Sequence, residues 1–72
     1  QTELKPYDEI RTAKNAYKLI VESGRSIESV ALDIQASDRL IYYWANGERS
    51  PNIKHLYALS QLFQVPIESI LG

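Results

Sequence analysis

The chain has 72 residues, of which 44% are apolar and 24% charged, with no cysteine and a formal net charge of −1. That length makes one domain with a small core, and the lack of cysteine excludes a disulfide framework and thiolate metal sites and fits a reducing cytoplasm. No apolar run approaches the roughly 18 residues of a membrane span, and Gln1 to Pro6 lacks the basic-then-apolar pattern of a secretion signal.

Residues 1–6 read as a flexible amino-terminal segment and 7–72 as one domain. Gln1 in place of methionine points to a trimmed start. A first helix is expected to begin near Pro6 or Tyr7, since proline suits a first helical turn and Asp8 and Glu9 then sit at the positive end of the helix dipole. Ile10, Ala13, Ala16, Tyr17, Leu19 and Ile20 recur at helical spacing and make its apolar face. Gly24 is its stop, because glycine readily takes the left-handed conformation that closes a helix. Ser26 caps a short second helix with Val30, Ala31 and Ile34 along one side. Gln35-Ala36 is the corner; Ser37 caps a third helix, in which Leu40, Ile41 and Trp44 carry the apolar spacing, and Asn46-Gly47 ends it.

Glu48 to Ser50 is a polar loop, and Pro51 is expected to open a fourth helix with Ser50 or Asn52 as cap. Ile53, Leu56, Leu59, Ser60 and Phe63 are its inward positions, and Val65-Pro66 breaks it. A fifth, closing turn brings Ile67, Ile70 and Leu71 onto the core. A rival assignment exists for Leu40 to Trp44, a run rich in strand formers followed by Asn46-Gly47, a strong hairpin turn. A hairpin needs a second β-rich run, and Glu48-Arg49-Ser50-Pro51 is not one, so the expected class is all-α.

Two short helices around a tight corner, from Ser26 to about residue 46, have the length of a helix-turn-helix unit. From Ser26 to Asn52 the sequence SIESVALDIQASDRLIYYWANGERSPN resembles, without a gap, the lambda-repressor and Cro type of DNA-binding domain, the XRE family. The resemblance rests on the pair Val30-Ala31, the small residue and cap Ala36-Ser37, the anchors Ile41 and Trp44, and the series Gly47, Arg49, Pro51. The ending LYALSQLFQVPIESIL resembles the family's last two helices, so the likeness runs over about residues 10–71. It implies a five-helix lambda-repressor-like fold, a sequence-specific regulator of transcription, and a homodimer on two half-sites. Tyr57, Leu62 and the last turn, Ile67 to Leu71, are candidate self-contacts.

In that frame the third helix enters the major groove, which is wide enough to admit it, and base contacts come from its first turns. The outward residues there are Ser37, Asp38, Arg39, Tyr42 and Tyr43. Arg39 suits guanine O6 and N7, Asp38 can accept from cytosine N4, and the tyrosines can meet a thymine methyl or a phosphate. Arg49, Asn52 and Lys54, just beyond that helix, are placed to hold phosphates together with the amides opening the fourth helix. Arg25 and Lys14 are candidate flanking contacts. Three positions depart from the family: Ile27 stands where glutamine often touches DNA, Gln35 stands at a corner that is usually glycine, and Asp38 puts an acid on the groove face.

A nucleic-acid binder usually presents a basic face, so a net charge of −1 requires the eight basic residues to be gathered on one side. The acidic balance, Ile27 and Asp38 support a rival: the same fold acting as a protein-interaction module through Tyr42 and Tyr43. Enzymatic chemistry has no candidate set. His55 is the lone histidine, no nucleophile, base and orienter fall together, and the isolated glycines make no phosphate loop. The expected partner is duplex DNA, with no cofactor, no metal, no membrane and no evident small-molecule ligand.

Overall fold

A computed structural model describes residues 8–71. Among them all regular structure is helical: α1 (Glu9–Glu22), α2 (Ile27–Asp33), α3 (Asp38–Asn46), α4 (Ile53–Phe63) and a closing 3-10 turn, Ile67–Ser69. The fifth expected helix is thus a single tight turn. It follows Pro66 and is closed by bonds from Ser69 N to Pro66 O and from Ile70 N to Ile67 O. The run from Leu40 to Trp44 is helical, and no strand occurs among the described residues.

The helix ends follow local chemistry. Asp8 caps α1 from outside, its carboxylate accepting from Arg11 N at 3.0 Å. The expected start at Pro6 or Tyr7 lies outside the described residues, and with Asp8 as cap the helix begins later, at Glu9. Ser26 and Ser37 cap α2 and α3, accepting from Ser29 N and Leu40 N, each at 3.1 Å. Gly24 and Gly47 close α1 and α3 with positive φ, +79° and +72°. Pro51 does not open α4: Asn52 caps that helix by accepting from His55 N at 2.9 Å, and Pro51 lies buried one residue earlier.

The corner between α2 and α3 carries a residue with Cβ in the left-handed region, Gln35 at φ +57°. Ala36 N donates to Ala31 O at 2.8 Å across it, which ties the end of α2 to the start of α3. A second such residue, Gln64 at φ +55°, ends α4, where Val65 N donates to Ser60 O at 3.0 Å.

The core gathers Ala13, Ala16 and Ile20 of α1, Val30, Ala31 and Ile34 around α2, Ile41 and Trp44 of α3, Leu56 and Leu59 of α4, and Ile70. α1 lies chiefly against α3, and α2 meets α3 at the corner. Ala13, Ala16 and Ala31 have no side-chain atom beyond Cβ, and all three are buried. Tyr17, Leu19, Leu40 and Phe63 are partly buried and packed on this cluster. Thr12, not expected inside, is fully buried, its hydroxyl donating to Asp8 O at 2.8 Å. Three expected core positions are exposed: Ile10, Ile53 and Leu71. The first two stand in the opening turns of α1 and α4. Ile70, by contrast, is buried, so it serves the core and is not available as a self-contact.

Candidate nucleic-acid interface

α3 is nine residues long, too short to persist alone, so its direction is set by what it buries. Ile41 and Trp44, three residues apart, are both fully buried. Trp44 also meets the His55 ring of α4 at 5.7 Å between centroids, tilted by 60°. With that side anchored, the opposite side of α3 faces outward. Asp38, Arg39, Tyr42, Tyr43 and Asn46 line one shallow concavity there, joined by Glu48 of the following loop.

Each expected base-contacting residue has a definite local state. Ser37 is exposed and spends its hydroxyl oxygen on the Leu40 amide, keeping its O–H to donate. The Asp38 carboxylate accepts from Arg39 N at 2.9 Å, inside the first turn of its own helix. The Arg39 guanidinium is exposed and makes no ion pair among the described residues. Tyr42 is 51% exposed, and Tyr43 is half-buried. Arg49 places its guanidinium over the Tyr43 ring, 5.1 Å from the centroid.

The expected phosphate contacts are not one group. Arg49 and Lys54 are exposed on either side of the Asn52 cap, whose side-chain oxygen is committed to His55 N. Lys14 of α1 comes alongside the end of α3, where a Cβ built on Gly47 would meet its Cε at 3.5 Å. Arg25 is engaged within the protein: it donates to Ser29 Oγ at 2.7 Å and pairs with the Asp33 carboxylate. That pairing spans α2, from the residue before its cap to its last residue. Ile27 packs partly buried against the core, so the family's glutamine contact has no counterpart here.

From Asp38 to Lys54 the chain carries three cations, Arg39, Arg49 and Lys54, against two carboxylates, Asp38 and Glu48. Other acids are spent elsewhere: Asp8 on the α1 cap, Asp33 on Arg25, and Glu22 beside Lys18 at 4.0 Å. Burial, and then the neighbouring Lys54 charge, hold His55 below the ordinary histidine range. Among the described residues no group of three or more His, Cys, Asp or Glu is placed to hold a metal, and no helix is long and apolar enough to cross a membrane.

Asn46 and Glu48 were not singled out from sequence, yet both line the outer face of α3. The signal for Asn46 was present: it lies three and four residues after Tyr43 and Tyr42 and seven after Arg39, the spacing of one helix face. Its role in the Asn-Gly helix stop hid it. Compared with known proteins, the chain matches the helix-turn-helix family model over residues 17–70. No curated protein and no solved structure matches it.

Proposed function

This chain belongs to the helix-turn-helix family of DNA-binding regulators, and on that premise we propose that it binds duplex DNA sequence-specifically, laying α3 in the major groove, and regulates transcription without catalysis. The observation that carries this reading is the outer face of α3. It is held by the buried Ile41 and Trp44, and it offers an exposed Arg39 guanidinium beside Asp38 and Tyr42. A major groove about 12 Å wide accepts a helix, and Arg39 in its first turn is placed to read guanine. Arg49 and Lys54, with Lys14 at the end of α3, supply phosphate contacts that fix register and carry no sequence information. Asn52 adds its side-chain amide N–H, its oxygen being used in the cap. Arg25 is a flanking phosphate contact that must share its guanidinium with Asp33. The protein acts as a homodimer in the cytoplasm, one α3 per half-site.

A titration of the whole chain against its preferred duplex and a random duplex, at several salt concentrations, tests this. Arg39→Ala should weaken the preferred site by about 1–3 kcal/mol, relax specificity at one position and leave random DNA almost unaffected. Arg49→Ala should weaken both duplexes alike and lower the salt slope by about one, since one fewer counterion is released. A wild-type chain without salt-dependent binding at micromolar concentration would sink the DNA reading. The aromatic outer face of α3 would then stand as a protein-docking surface, a role the exposed Tyr42 and the carboxylates of Asp38 and Glu48 suit.

A further inference from the structure

Resting on that DNA-binding reading, we propose that Tyr43 is a positioning residue: its ring holds the Arg49 guanidinium for a DNA phosphate, and it does not read a base. Sequence alone separates these two residues, giving the tyrosine to the recognition helix and the arginine to the loop. The fold joins them, with Arg49 Cζ 5.1 Å from the centre of the Tyr43 ring.

Three features make this contact a support and not a chance approach of two surface side chains. The ring stands on a fixed base, because Tyr43 is half-buried and the next residue, Trp44, is fully buried. The loop that carries Arg49 is tied to the same turn of helix: Gly47 N donates to Trp44 O at 3.1 Å and Glu48 N to Tyr43 O at 3.0 Å. The turn also lies against α1, where a Cβ on Gly47 would meet Ile10 Cγ2 at 3.1 Å. The competing partner is also occupied. Glu48 adjoins Arg49 in sequence, but its carboxylate lies toward the Asn46 amide at 3.5 Å, and Arg49 makes no ion pair among the described residues.

The consequence is chemical. A cation over an aromatic face is held by the ring's quadrupole, so the arginine's N–H donors are not spent on a protein acceptor and stay available to phosphate oxygens in a forked arrangement. An arginine already ordered loses less rotamer entropy on binding. Tyr43 should therefore add affinity equally on every sequence. With one face of its ring covered by Arg49, it has less surface to offer a base edge than Tyr42 of the same helix.

The test is a double-substitution cycle on the full chain, with binding to the preferred and a random duplex measured across salt. Tyr43→Phe keeps the ring face and should bind both duplexes as wild type does. Tyr43→Leu should weaken both by the same factor, about 2- to 5-fold, the range of an exposed cation–aromatic contact, with the preference between duplexes unchanged. In an Arg49→Ala background, Tyr43→Leu should have no further effect, because there is no guanidinium left to hold. Two results overturn the proposal while DNA binding stands: a change in sequence preference in Tyr43→Leu or Tyr43→Phe, or additive effects of Tyr43→Leu and Arg49→Ala. Absence of salt-dependent binding by the wild-type chain overturns the DNA reading itself, and the proposal with it.

Discussion

Trp44 is the largest of the fully buried side chains, and it carries a cost with its benefit. Its indole Nε1 is buried with no hydrogen-bond partner among the described residues, and an unsatisfied buried donor costs about 1–3 kcal/mol. The ring's apolar burial in the core and against His55 must exceed that. Trp44→Ala should destabilise the domain by about 3–5 kcal/mol. Trp44→Phe should cost clearly less, since it keeps an aromatic ring and deletes the orphaned donor. Denaturant melts compare the two, and equal losses would show that the indole nitrogen has a partner. His55 makes a second residue-scale prediction. Its protonated form is disfavoured by burial and by Lys54 in the folded state, so the unfolded chain binds that proton more readily and stability falls with falling pH. The loss begins near the unfolded value of about 6.5 and levels off below the folded value. His55→Gln should flatten the pH profile of the melting temperature in that range; an unchanged slope would assign it to other groups.

At the scale of the element, each short helix depends on its ends and its neighbours. α2 spans only Ile27–Asp33, and the Ala36 N bond to Ala31 O is what turns the chain into α3. Gln35 must hold φ +57° for that bond to form. The left-handed conformation costs a residue with Cβ roughly 1–2 kcal/mol, while glycine pays roughly 0.5–1 kcal/mol of extra backbone entropy on folding. Gln35→Gly should therefore raise stability by up to about 1.5 kcal/mol, visible as a higher urea midpoint with an unchanged slope. A lower midpoint would mean that the glutamine side chain itself supports the corner. DNA binding should survive the change, because the direction of α3 is set by Ile41 and Trp44 and not by the corner residue.

For the molecule as a whole, the net charge of −1 is unevenly distributed along the chain. Several carboxylates are committed to caps and pairs, and cations outnumber acids from Asp38 to Lys54. The proposed homodimer doubles the footprint of a domain of this size. Two copies should protect two half-sites with approximate two-fold symmetry, centred roughly 34 Å apart. Tyr57, 60% exposed, Leu71 and the partly buried Leu62 and Ile67 are the remaining apolar candidates for the contact between copies. Footprinting at saturating protein reads this directly, and protection of one isolated half-site would show that the chain acts as a monomer.

What the sequence determined by itself is what depends on near neighbours along the chain. The caps at Ser26 and Ser37 and the stops at Gly24 and Gly47 bond within a turn or so, and the anchors Ile41 and Trp44 follow from helical spacing. The outward face of α3 was legible for the same reason, since anchoring one side of a helix fixes the other. Tertiary structure alone decided the relations between residues distant in sequence or set in loops. It brought Lys14 beside Gly47, drew Arg25 onto Asp33, laid Arg49 over Tyr43, and left Ile10 and Ile53 outside the core. Helical periodicity names the side of a helix but not how far its neighbour extends along it. Charge counts name the cations but not which of them a nearby carboxylate or ring has claimed. Both are settled only when the backbones pack.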